Sequence, residues 1–198
     1  STSQLMLVLK PLNERAKIKR LIVSTYQAVS GAGKNGIDEL KQDVDAYLNG
    51  KEFKNEVFKK PISFNVIPQI DVFDENGYTK EELKVVNETK KILHLAEETP
   101  ISCTAVRVPV FTGHSEAVDI EFEEEITPDE VREILSNTFG VEVMDDPENY
   151  VYPTTRDAEN VDPVFVGRVR KNLAFKNGIS LWCVADNLRI GAALNTVR

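Results

Sequence analysis

Residues 164–185 read VFVGRVRKNLAFKNGISLWCVA, and the Asn177-Gly178 pair within them is the strongest hairpin signal in the chain. Asn-Gly accepts the positive φ angles of a tight two-residue turn, and apolar runs flank it on both sides. Val164–Lys171 alternates as a half-buried strand does. Further back, Val118, Ile120 and Phe122 alternate with Asp119, Glu121 and Glu123. A strand over 104–110 precedes them across a turn at Thr112-Gly113, and Leu21-Ile22-Val23 is another strand.

Helical signals lie between these strands. Residues 1–12 read as a helix, with cap-type Ser1 and Thr2, apolar Leu5, Leu7, Val8 and Leu9, and Pro11 to end or kink it. Ile37, Leu40, Val44, Tyr47 and Leu48 fall on one helical face, stopped by Gly50. Thr79 with Glu82 three residues on makes a capping box, and Leu83, Val86 and Leu93 form the apolar face behind it. Thr127-Pro128-Asp129-Glu130 opens a further helix, closed by Gly140. A last helix begins near Ile190. Strands in neighbouring hairpin order with four or five helices predict an α+β fold. We expect a mixed, largely antiparallel sheet with helices packed on one face, its other face free to pair with a second subunit.

The 198 residues carry 32 acidic and 24 basic side chains, a net charge of −8. No basic stripe is present to attract nucleic acid or an anionic membrane. The longest apolar runs are too short to span a bilayer. Cys103 and Cys183 sit in apolar strand-like runs, which suits buried free thiols in a reducing cytoplasm. No Cys/His cluster has metal-ligand spacing, so no metal is expected.

Candidate chemistry is sparse when each piece is taken alone. Glu81, Lys84, Glu88 and Lys91 make a polar helical stripe, which on spacing alone reads as a solvated ion-pair face. Arg107 interrupts an apolar strand and reads as a solvent-facing residue opposite Val106, Val108 and Val110. His114 follows a glycine turn at a strand end, where a lone histidine is ordinarily structural or exposed. The glycine-rich loop from Ser30 to Gly36 precedes a helix, yet it matches neither GxGxxG nor the Walker spacing.

Read together, the pieces resemble one family. Ser1-Thr2-Ser3-Gln4 is similar to the residues that follow the catalytic cysteine in the Asn-Cys-Ser-Thr motif of bacterial-type aspartate-semialdehyde dehydrogenases. Ser24-Thr25-Tyr26-Gln27-Ala28-Val29-Ser30-Gly31-Ala32-Gly33 resembles a second signature of that family. So do Arg107-Val108-Pro109-Val110 with Gly113-His114-Ser115, and Ala185-Asp186-Asn187-Leu188-Arg189 with Gly191-Ala192-Ala193. The matches run in family order along the whole chain.

That resemblance implies a fold like the C-terminal domain of glyceraldehyde-3-phosphate dehydrogenase. It also implies NADPH-dependent reduction of L-aspartyl-4-phosphate to L-aspartate-4-semialdehyde through a cysteine thioester. This is a branch step toward diaminopimelate and lysine, methionine and threonine. By resemblance Gln27 lies beside the thiol and helps place substrate, and His114 is the acid–base residue. Glu81 holds the substrate amino group, Arg107 its carboxylate, and Lys84 binds phosphate. Ser30, Gly31 and Asn187 contact the NADP cofactor. The expected organisation is one catalytic and dimerisation domain over residues 1–198. The nucleophilic cysteine is expected just before Ser1, the NADP-binding Rossmann domain is absent, and the final helix is cut short. Such a chain is expected to be inactive alone and to form a homodimer. An N-acetylglutamyl-phosphate reductase-like enzyme and a non-catalytic dimerisation module of the same fold are the rival readings.

Overall fold

The computed structural model describes residues 1–190. They form α1 (Thr2–Arg15), β1 (Ile18–Gln27), α2 (Gly33–Leu48), α3 (Lys80–Ile92), β2 (Ile101–Arg107), β3 (His114–Phe122), α4 (Pro128–Ser136), β4 (Val141–Val143), β5 (Val164–Lys171) and β6 (Gly178–Ala185). Single 3-10 turns lie at Val29–Ala32 and Pro147–Asn149. The Gly191-Ala192-Ala193 motif and most of the expected final helix lie outside the described residues.

The six strands form one sheet in the order β2-β1-β3-β6-β5-β4. The three central junctions are antiparallel and the two edge junctions are parallel, so the expected mixed, largely antiparallel sheet is present. The β5–β6 hairpin forms, but not through the two-residue turn expected: its loop runs over residues 172–177, neither Asn177 nor Gly178 takes a positive φ, and Gly178 already opens β6. The turn is instead held by Asn172, whose Oδ1 accepts the Ala174 and Phe175 N–H groups. One connection departs from the neighbouring order expected. Strands β2 and β3 do not pair across the Thr112-Gly113 turn, because β1 lies between them, parallel to β2 and antiparallel to β3.

Three helices cover one face. Leu5, Val8, Leu9 and Leu12 of α1, Val85 of α3, and Val131 and Leu135 of α4 pack in one cluster with Leu21, Val23, Val118, Ile120, Ile179 and Leu181 of the sheet. Helix α2 packs elsewhere, where Leu40 joins Val29, Ile62 and Ile67 in a separate small core. Two acidic side chains hold the long connection after α2. Glu39 accepts backbone N–H bonds from Glu56, Val57 and Phe58, and Asp43 accepts from Ile62 and Ser63.

Three sequence expectations need correction. Pro11 does not end α1, which runs on to Arg15. An interior proline costs about 3 kcal/mol, but full burial of Leu12 contributes about 1.5–3 kcal/mol. The Asn13 side chain also accepts the Ile18 N–H at 2.9 Å, tying the helix end to β1. In α3 the buried stripe is Glu82, Val85 and Thr89, while Leu83 is half-buried. Glu82 caps the helix at Thr79 and also accepts the Ala105 N–H at 2.9 Å, which turns that stripe toward β2. Arg107 is not solvent-facing. It shares the helix-covered face with Cys103 and Ala105, while Val106 points to the half-exposed side.

Strand register arranges the helix-covered face in rows. Ile101, Leu21, Ile120 and Ile179 stand abreast, then Cys103, Val23, Val118 and Leu181. The next row is Ala105, Thr25, Glu116 and Cys183, and the last is Arg107, Gln27, His114 and Ala185. The sheet is therefore apolar at one end and polar at the other, under the start of α1.

Candidate active site

The last row brings three of the expected site residues together. Arg107 ends β2, Gln27 ends β1 and His114 begins β3, so pairing alone sets them side by side. All three are buried, at 7%, 4% and 4% exposure. Burial of polar groups this complete requires partners.

Ala28 supplies two of those partners. Its N–H donates to His114 Nδ1 at 3.1 Å, and its carbonyl accepts from Arg107 Nη1 at 2.7 Å. The first bond assigns the proton of the neutral imidazole to Nε2. Burial holds the His114 pKa well below the ordinary histidine value, helped by Arg107, while the Gly113 carbonyl opposes them. The ring is therefore neutral at neutral pH.

Arg107 is less completely served. Its side chain's only hydrogen bond among the described residues goes to the Ala28 carbonyl, and no carboxylate of those residues stands within ion-pair distance. Burial lowers its pKa, and Glu81 pulls the other way. The Phe58 ring lies 5.9 Å from the guanidinium carbon, close enough for a cation–π contact. Phe58 reaches this place on the connection pinned by Glu39 and Asp43.

Glu81 comes from the first turn of α3. Its Oε1 accepts from Gln27 Nε2 at 3.3 Å and from Ser1 Oγ at 3.1 Å. Gln27 Oε1 in turn accepts from Thr25 Oγ1 at 3.0 Å. Ser1 is the N-cap of α1 but makes no cap hydrogen bond, since its hydroxyl is turned to Glu81. Lys84 lies one turn along α3, exposed and without an ion-pair partner among the described residues.

Ser30, Gly31 and Asn187 meet on the other side of His114. Asn187 Nδ2 donates to Ser30 Oγ at 3.0 Å, and its Oδ1 accepts the Gly113 N–H at 2.9 Å. Gly31 lies flat against the site. A Cβ there would stand 2.7 Å from Arg107 Nη1 and 3.4 Å from both Cε1 and Nε2 of His114.

Neither cysteine belongs to this chemistry. Both are free and buried. Burial raises the Cys103 thiol to about 12 and the Cys183 thiol well above its ordinary value, so neither is a thiolate at neutral pH. A cavity of about 470 Å³ opens on the opposite face beside Tyr152, Arg168 and Trp182, and it holds none of these site residues. Among the described residues no His/Cys/Asp/Glu group is placed to hold a metal ion, and no helix is long and apolar enough to cross a membrane.

Several positions of this cluster escape a reading of side-chain chemistry. Ala28 acts through its backbone, which no residue type announces. Phe58 is brought in by a long connection. Thr25 and Glu116 were within reach, because period two places them on the same face as Gln27 and His114.

The comparisons agree on one family. A family model described as semialdehyde dehydrogenase, dimerisation domain, matches residues 9–190. The aspartate-semialdehyde dehydrogenase of Aquifex aeolicus is 53% identical over 199 residues, covering all of this chain and 58% of its own length. That of Campylobacter jejuni is 48% identical over 200 residues, again with 58% of its length covered. The chain thus spans well under two thirds of these curated relatives. Aspartate semialdehyde dehydrogenase II from Vibrio cholerae, solved in complex with ASA, superposes with a TM-score of 0.91 at 47% identity, over 98% of this chain and 57% of that one. The Candida albicans enzyme, solved with NADP, superposes with a TM-score of 0.70 at 25% identity, over 97% of this chain and 52% of that one.

Proposed function

This chain belongs to the semialdehyde dehydrogenase dimerisation-domain family, and from that premise we propose that it carries the substrate site of an aspartate-semialdehyde dehydrogenase. The reaction is reduction of L-aspartyl-4-phosphate to L-aspartate-4-semialdehyde with release of phosphate. The setting is cytoplasmic synthesis of lysine, methionine and threonine. The observation that carries the reading is Arg107, a nearly buried guanidinium with no carboxylate partner among the described residues, beside a neutral imidazole.

A buried cation in that state calls for an anionic ligand, and a guanidinium fork matches a carboxylate. Arg107 takes the substrate carboxylate. Glu81 takes the ammonium, exchanging its bonds from Ser1 and Gln27 for it. Gln27 then turns its amide toward the acyl group. The exposed Lys84 meets the phosphate. The nucleophilic thiol is supplied from the chain preceding Ser1.

His114 presents Nε2–H to this cleft and polarises the acyl oxygen as a neutral donor. To take up the thiol proton the ring must exchange tautomers, with the Gly113 carbonyl as the backbone acceptor in its reach. Low proton affinity then favours passing the proton on.

The residues present suit a nicotinamide cofactor. A side chain at Gly31 would strike Arg107, so the absence of one lets the backbone there lie close against the site. Ser30 and Asn187 border it with amide and hydroxyl groups. When bound, NADPH supplies the hydride.

The half-exposed sheet face carries Ile22 and Tyr26, with the Tyr26 ring tilted at 44° to Trp182 and 5.5 Å from it. We assign it to a homodimer contact, in keeping with the family's dimerisation domain.

Arg107→Lys in the whole enzyme tests the reading. It keeps the charge and loses the fork. Losing one charge-assisted bond should lower kcat/KM for aspartyl phosphate about 10- to 100-fold. Unchanged kinetics would show that Arg107 is not the carboxylate's partner. Turnover of N-acetylglutamyl phosphate instead would favour the rival reductase.

A further inference from the structure

Behind His114, one row deeper, lies a carboxyl group that this chemistry does not use. Glu116 is fully buried. Among the described residues its Oε2 accepts only a thiol hydrogen, from Cys183 at 3.5 Å, and its Oε1 has no hydrogen-bond partner. Thr25 faces it on β1, but that hydroxyl is donated to Gln27. Gln4 of α1 is the remaining side chain within hydrogen-bonding reach.

Gln4 has the matching defect. Its Nε2 donates to the His114 carbonyl at 3.1 Å and lies 3.9 Å from Cys183 Sγ, while its Oε1 is buried with no partner. Turning the amide over would not cure this. It would set Oε1 against the His114 carbonyl, one acceptor facing another. A single hydrogen on the Glu116 carboxyl, which has Gln4 within reach, would satisfy both orphaned oxygens at once.

We propose that Glu116 is a neutral carboxylic acid that donates its hydrogen to Gln4 Oε1, and so positions the His114 backbone and the first turn of α1. The proposal rests on the dehydrogenase reading for its kinetic consequence, and on geometry alone for the protonation state. An ionised Glu116 would be a buried charge with a thiol as its one donor, a costly arrangement. Burial raises its pKa to about 7. The groups around it pull in different directions. Glu81 on α3 raises it further, whereas the Ser1 ammonium and Cys183 lower it, and Gln4 would lower it only by turning its amide N–H from the His114 carbonyl to the carboxylate. Cys103 on β2, also near enough to feel Glu116, holds a neutral thiol. Where Ser1 is joined in a peptide bond, its charge is gone and the acid form is favoured more strongly.

The test uses infrared difference spectra of the whole enzyme at pH 6, with Glu116→Gln as the reference. A protonated-carboxyl band in the wild type that vanishes in the variant is expected. Its absence overturns the proposal, whatever the substrate proves to be. Kinetics give the positioning half. Gln offers an N–H where the acid offered an O–H, so kcat should stay within about threefold. Glu116→Leu leaves Gln4 Oε1 without a donor and should lower kcat about tenfold with little change in KM. A 100-fold loss in the Gln variant would mean that an ionised carboxylate is needed, and would overturn the proposal. If the Leu variant does not fold, the band and the Gln variant still decide between the acid and the carboxylate. If aspartyl phosphate is not turned over while the band behaves as expected, the substrate reading fails and the acid stands.

Discussion

Replacing Gly31 with alanine should damage the site while sparing the fold. The new methyl would stand 2.7 Å from Arg107 Nη1. Non-bonded heavy atoms settle at about 3.5 Å or beyond, so the guanidinium must retreat by about 0.8 Å. Nη1 now sits 2.7 Å from the Ala28 carbonyl. A retreat of that size away from the carbonyl stretches the bond to about 3.5 Å, past useful hydrogen bonding. The fork is then aimed wrongly, and misplacement by about 1 Å can cost about 100-fold in rate. The backbone should not suffer, because Gly31 is not among the glycines at positive φ. Removing a glycine at a compatible site can even stabilise, by about 0.4–1 kcal/mol. The expected outcome is an unchanged or slightly raised melting temperature, with kcat/KM for aspartyl phosphate down about 10- to 100-fold. Thermal melts and initial rates on the whole enzyme read both quantities. Wild-type kinetics in a folded Gly31→Ala protein would refute the idea that Arg107 is held in one productive place.

His114→Asn should lower kcat about 10²- to 10⁴-fold in steady-state assays with a smaller change in substrate KM, since the work proposed for it lies in the transition state. The histidine also ties stability to pH. Its native pKa is depressed by burial, so below the ordinary value near 6.5 the unfolded chain binds a proton that the folded chain refuses. That contribution is whole above pH 6.5 and is lost as the pH falls. Glu116 acts with the opposite sign, because from about 4.5 to about 7 the folded chain keeps a proton that the unfolded chain releases. The two offset each other over their shared range. Melts of Glu116→Gln should therefore uncover a loss of stability toward acid, and a flat profile would count against the His114 assignment. Cys103 and Cys183 should resist alkylation by iodoacetamide at about pH 8 until the protein is unfolded, because both thiols are pushed up by burial. Rapid labelling of native protein, followed by mass spectrometry, would contradict that.

Much of the fold is legible where local chemistry agrees with tertiary structure. Both capping boxes form around Thr79 and Thr127. The hairpin expected at Asn177-Gly178 is present, although a six-residue loop over 172–177 makes its turn. Pro11 misleads because burial on both sides of it outweighs its local preference. Strand order could not be read, since nothing in residues 101–122 shows that β1 inserts between β2 and β3. The faces of β2 were inverted for a related reason. Val106 and Val108 look like core, but Arg107 shares the covered face with Cys103 and Ala105. For the site, family resemblance supplied residue names that spacing could not. Arg107, Gln27, His114 and Glu81 lie close enough to share partners, and their roles await the kinetic tests. What remained hidden is the backbone of Ala28 and the Gln4–Glu116 pair, which depend on three-dimensional proximity.

The row that sets Arg107 beside Gln27 and His114 has a consequence for how the site can fail. Gln27 and Arg107 are neighbours only because β1 and β2 pair in one alignment, across 80 positions of chain. Side chains alternate between faces, so sliding β2 by one residue would turn Arg107 outward and bring a valine in. No intermediate alignment yields a weakened version of the cleft. Variants that loosen this edge pairing should therefore give mixed populations, in which each molecule is either fully competent or inert. Titrating active centres would then report a reduced fraction of working sites, each turning over at the normal rate.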